Sequence, residues 1–96
     1  MVIGVLQVEL GIDEASSLKD KRSVIASLKN RLHREHQVSV AEVALQDDCR
    51  VAQLGIALAS SDVGHAQHVL QGVLDKLRFG RGYVLRDHQM EVMSGK

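Results

Sequence analysis

The sequence predicts an α+β domain, a two-layer βαββαβ sandwich, and three observations carry that prediction. Segments with period-two apolar alternation and segments with three-and-four apolar spacing follow one another as strand, helix, strand, strand, helix, strand. Helix-start chemistry precedes each helical segment, and a short polar run separates the two adjacent strands. A proline-free chain of 96 residues with 45% hydrophobic content has room for one core, with no linker or low-complexity segment.

Val2 to Leu10 alternates as a strand, with Val2, Leu6, Val8 and Leu10 on one face and Ile3, Val5, Gln7 and Glu9 on the other. Ile12 to Ser16 is a loop, and Ser17 stands three residues before Asp20, the spacing of a capping box, so a helix begins near Leu18. Leu18, Ile25 and Leu32 recur every seventh residue with Val24 and Leu28 on the same side, which carries the helix to about His36 with one buried stripe. Val38 to Gln46 and Val51 to Ser60 read as the next two strands, joined by a hairpin turn at Asp47 to Arg50. Ser60, Ser61 and Asp62 supply N-cap chemistry for a second helix whose stripe is Val63, Ala66, Leu70, Val73 and Leu77, and Gly80 is placed to close it. Tyr83 to Met93 is the last strand, and Ser94 to Lys96 is expected to fray.

This order is the split βαβ pattern of ferredoxin-like folds, here a single domain over residues 1–96 with a four-stranded antiparallel sheet and two helices on one face. The first and third strands are expected to lie centrally and to run parallel to each other. Both helices would then start at the same end, with Ile12 to Lys21 near Ser60 to Asp62.

Twelve basic and twelve acidic residues leave no net charge, so attraction to nucleic acid or an anionic membrane has to come from local clustering. One cysteine, Cys49, forms no internal disulfide, and the apolar N-terminal stretch lacks a basic leader and is broken by Gln7 and Glu9. No run approaches the roughly 18 apolar residues of a membrane span. A cytoplasmic location with no membrane contact is the expectation.

Three segments carry a resemblance: Ser17-Leu18-Lys19-Asp20-Lys21-Arg22, Ser39-Val40-Ala41-Glu42-Val43, and Leu54-Gly55 leading to Ser60-Ser61-Asp62. Together they resemble the YlxP-like family, small bacterial proteins of unknown function, along nearly the whole chain. The resemblance implies a ferredoxin-like domain. Because the family's gene often lies among transcription and translation factors, it also implies an RNA or ribosome connection. The hairpin departs from the family pattern, since Cys49 falls where a Leu-Trp-Gln-Arg-like run would place Trp.

The first helix concentrates charge: Lys19, Lys21, Arg22, Lys29, Arg31 and Arg34 stand against Asp20 and Glu35. Arg22, Ala26, Lys29, His33 and His36 follow four-three-four-three spacing along one flank, an arrangement that tracks phosphates or simply forms a solvated face. Basic residues in the first turn oppose the helix dipole by about 0.3–1 kcal/mol each. Lys21 is the sharper anomaly, being four residues before Ile25 and seven before Leu28, on the core-facing stripe. Two readings follow: an anion site built from Lys19, Lys21, Arg22 and the free helix N–H groups, or a lysine that packs its stem and leads its ammonium to water.

Other candidates are weaker. His33 with His36, and His65 with His68, share helical spacing, but no carboxylate or thiol completes a convincing metal set, so no metal or cofactor is expected. Cys49 sits between Asp48 and Arg50 as an inert thiol, and Gly80-Arg81-Gly82 reads as a cap and turn. Glu9 and Glu42 could face each other on the open sheet as an acid pair, although no catalytic residues are assigned. The strands expected at the sheet centre contain no aromatic residue, which argues against base stacking on the sheet in the manner of RNA-recognition domains. Ile3, Val5, Val43 and Leu45 form an apolar patch on the open face that homodimerisation would bury. Three functions compete: an RNA- or ribosome-associated accessory protein using the basic helix, a homodimeric module for a small anion or a protein, and an enzyme.

Overall fold

A computed structural model describes residues 1–95. The elements are β1 (Val2–Gly11), α1 (Leu18–His36), β2 (Ser39–Ala44), β3 (Val51–Ser60), α2 (Val63–Arg78) and β4 (Val84–Ser94). They build the ferredoxin-like arrangement, a four-stranded sheet in the order β2-β3-β1-β4, antiparallel at every pairing.

β1 and β3 are central, as expected, but antiparallel, running from Val2 opposite Ser60 to Gly11 opposite Val51. Each right-handed crossover joins two parallel strands with a third between them, and that inserted strand runs the other way. The helices consequently start at opposite ends of the domain. Ile12 donates its N–H to Arg50 O at 2.7 Å, so the loop before α1 meets the β2–β3 turn, while Ser60 to Asp62 lie beside Val2 at the far end.

Alternation puts Val2, Leu6, Val8 and Leu10 of β1 and Ala52, Leu54 and Ile56 of β3 on the helix side, fully buried. Ile25, Leu28 and Leu32 of α1 and Leu70, Val73, Leu74 and Leu77 of α2 close over them. Removing one of these branched side chains down to alanine typically costs about 2–5 kcal/mol, so this interior holds the layers together.

The caps follow local chemistry. Ser17 accepts the Asp20 N–H at 3.1 Å, and Asp20 returns the favour by accepting from Ser16 N and Oγ at 3.0 and 2.8 Å. These bonds, the Ser16 N–H foremost, lower the Asp20 pKa. Asp62 caps α2 by accepting the His65 N–H at 2.8 Å. α1 ends without glycine, on Gln37 in the left-handed region at φ 56°.

β2 is shorter than the alternation suggests. It stops at Ala44, with an irregularity between Glu42 and Ala44, and Leu45 adopts φ 60° in the turn, outside the strand. Ser94 belongs to β4, and Gly95 exchanges main-chain hydrogen bonds with Met1, so the expected fraying does not occur there; Lys96 lies outside the described residues.

Gly80 does not take the left-handed conformation of a glycine C-cap; Gly82 does, at φ 87°. Gly80 is required for space, because a Cβ there would come within 1.8 Å of Tyr83 Oη. Tyr83 is buried, and that burial raises its phenol pKa above the ordinary 10.0, with Arg31 acting weakly the other way. The unfolded phenol therefore ionises first, so this contribution to stability is complete below pH 10 and is lost as pH rises past it. Phenolate absorbance should titrate with a midpoint above 10.0. In Gly80→Ala the midpoint should fall back toward the ordinary value, with a stability cost of about 1–3 kcal/mol in urea; an unchanged midpoint would show that the ring had not been displaced.

Candidate nucleic-acid interface

Helical phase sends Lys21 inward, and it is 1% exposed. Its Nζ donates to Leu45 O at 2.7 Å and Asp48 O at 2.6 Å, and lies 2.7 Å from Glu42 Oε2. An ammonium has three donors, and three acceptors of the β2–β3 hairpin surround this one. Neither reading of Lys21 holds: the ammonium does not reach water, and, buried against the two carbonyls and the Glu42 carboxylate, it is out of reach of an external anion. At the helix start Ser17 Oγ accepts the Asp20 N–H, and the Asp20 carboxylate stands beside it as a fixed negative charge, accepting the Ser16 N–H. Glu42 lies on the helix side of the sheet, opposite Leu54, whereas Glu9 lies on the open face and accepts from Gln53 at 3.3 Å, so the two acids form no pair.

Lys19, Arg22 and Lys29 stay exposed on one flank of α1. Among the described residues no carboxylate lies within ion-pair distance of any of them, nor of Arg31, Arg34 or Arg81. His33 remains on the flank, exposed, with Nδ1 3.0 Å from Val38 O. His36 leaves it: the ring is half-buried and turned toward α2, 3.7 Å from where a Gly72 Cβ would stand. The end of a helix is where the chain bends toward the next element, and helical phase alone does not follow it. Glu35 pairs with Lys76 of α2, which lowers the Glu35 pKa.

Sequence reasoning missed a second group of cations. Arg31 and Arg81, with Lys76, line a groove between the helices at the end of α2, where Phe79 stands 85% exposed. The signal was available: Phe79 lies two residues beyond Leu77, which turns it away from the buried stripe of α2.

Zero net charge conceals a separation between layers. The two helices hold eight basic and three acidic residues, whereas the strands hold Arg86 against Glu9, Glu42, Asp87 and Glu91. Arg86 is itself tied to Asp13 at 2.7 Å. The open face presents Ile3, Val5, Ala57 and Met93 at one end and Gln7, Glu9, Gln53 and Gln89 at the other, with Val43 covering Gly55. Leu45 drops out of this patch, because it belongs to the turn that wraps Lys21. Cys49 is half-buried and unbridged, and no group of three or more metal-binding side chains forms among the described residues. No helix among them is long and apolar enough to cross a membrane.

The sequence matches, over residues 3–90, a family described as a protein of unknown function (DUF503). It is 36% identical over 73 residues to the uncharacterised protein YlxP of Bacillus subtilis (strain 168), covering 76% of this chain and 79% of that protein. The family resemblance drawn from the three motifs is thereby supported.

Lys21→Met leaves two carbonyls and a carboxylate without their cation, so urea unfolding should register a loss of about 3 kcal/mol. Adding Glu42→Met should recover part of that loss. A single-variant cost below about 1 kcal/mol would mean that the hairpin does not depend on the ammonium.

Proposed function

The chain belongs to the family of unknown function that it matches, and from that premise we propose that it is a non-catalytic, cytoplasmic, RNA- or ribosome-associated accessory protein that binds phosphates through its helical layer. The observation that supports this most is the row of exposed cations without carboxylate partners on one flank of α1, Lys19, Arg22 and Lys29; Arg34 adds a further unpaired cation on another side of the helix, and Arg31 and Arg81 two more in the groove against α2. A phosphate chain releases counterions when it meets such a row, and affinity then depends on salt. A discrete small-anion pocket has less support, because Lys21 is held by the protein's own carbonyls and the Asp20 carboxylate stands at the helix start. Base stacking on the sheet has none, since its outward positions carry no aromatic side chain.

A second reading concerns the opposite layer, and the two are compatible. Ile3, Val5, Ala57 and Met93, with Val43 at the β2 side, form an apolar area free of lysine and arginine, which a second copy of the chain would cover.

In fluorescence anisotropy, single-stranded RNA should bind with a log–log salt slope of about −3, as expected for four or five phosphate contacts at about −0.7 each. Arg22→Glu with Lys29→Glu should weaken binding at least about tenfold and flatten the slope by more than about one. Absent or salt-independent binding sinks the RNA reading. Sedimentation equilibrium should give twice the 10.5 kDa chain mass, and Val5→Arg should return it to the monomer; a wild-type monomer at the highest soluble concentration would rule out the dimer.

A further inference from the structure

We propose that Phe79 is a stacking platform for an unpaired RNA base, with Arg31 and Arg81 gripping the phosphates beside it. This rests on the RNA reading above and assigns it a contact at the end of α2.

Phe79 is the only phenylalanine of the chain and one of two aromatic residues, in a core built from aliphatic side chains. Burying it would serve that core, yet it is 85% exposed. Its surroundings are not those of an apolar docking patch. The groove beside it is lined by Arg31, Gly72, Asp75, Lys76, Gly80 and Arg81, and the other exposed large hydrophobic residues, Met1, Val43, Leu45, Val63, Val84 and Met93, line none of it. A protein partner would need apolar neighbours around the ring to bury with it.

The charges in the groove sort themselves. Lys76 is paired with Glu35, and Asp75 lies 3.5 Å from Arg78, so the acid is compensated. Arg31 and Arg81 have no carboxylate within ion-pair distance among the described residues. An aromatic face flanked by two guanidinium groups is the combination by which proteins hold single-stranded nucleic acid: any base stacks on the ring, and the cations take the adjoining phosphates. Double-stranded RNA offers no unstacked base to such a ring, so the proposal commits to a single strand.

The chain has no tryptophan, so Phe79→Trp introduces a lone fluorophore at the ring's position. Titration with single-stranded RNA should quench its emission saturably, whereas inorganic polyphosphate, which meets the cations but has no bases, should not. Phe79→Ala should weaken single-stranded RNA binding about tenfold, in the range of one lost stacked base, with the salt slope unchanged. Arg31→Ala with Arg81→Ala should instead flatten the slope by about one to two. The exposed position keeps the fold intact, which circular dichroism melting of each variant checks. If RNA binds by anisotropy but neither quenches the reporter nor loses affinity in Phe79→Ala, the stacking inference is overturned and the RNA reading survives. If no RNA binds at all, both fall.

Discussion

A buried ammonium sets the terms for one corner of this protein. Removing Lys21 from water costs several kcal/mol unless each of its donors finds an acceptor, so the hairpin that supplies the acceptors cannot relax independently. Leu45 holds a left-handed backbone, at φ 60°, that a leucine ordinarily avoids, and its carbonyl is one of the three acceptors. The register shifts between Glu42 and Ala44, just before the turn, and Glu42 itself faces the helix side. Ile12, bonded to Arg50 O, stitches the end of β1 to the same turn. The corner then fixes the surface: Arg22 follows Lys21 by 100° of helix rotation and so must point outward, and Lys29 lies one heptad beyond it on the same flank.

With that rotation fixed, the charge separation between layers has physical consequence despite zero net charge. A helix is about 10–12 Å across, more than the Debye length of about 8 Å at physiological salt. The acidic sheet face is therefore screened from anything approaching the helices, which meets the predominantly basic charge of the helices themselves. A neutral protein with interspersed charges would present no such side. This one presents a basic helical layer and a sheet face of apolar and acidic residues.

What the sequence reveals follows from which interactions are local. Both helices were legible to within a residue or two, because Ser17 with Asp20 and Asp62 are caps made within three residues, and the stripes of α1 and α2 are strictly periodic. Strand direction was not, since an alternating pattern reads the same in either direction and only the crossover geometry decides it. The end of β2 was misread because Leu45 suits a strand by type but serves Lys21, whose acceptors lie 24 and 27 residues along the chain. Lys21 itself was legible as an anomaly of phase; the answer to the anomaly was not, for the same reason. His36 shows a further limit, as an ideal helical wheel places it on the flank while the end of the real helix turns it toward Gly72.

The two aromatic residues stand four positions apart on one short loop. Tyr83 folds in over Gly80 and, with Val24, Ser27 and Leu28 of α1, lines a cavity beside that helix. Phe79 is exposed on a backbone that is held at both ends, by the α2 cap bond from Phe79 N–H to Lys76 O at 3.3 Å and by the buried Tyr83. A ring carried on a loose loop would lose conformational entropy on meeting a ligand. A ring on an anchored loop loses little, and it is this anchoring, more than exposure alone, that suits Phe79 to bind.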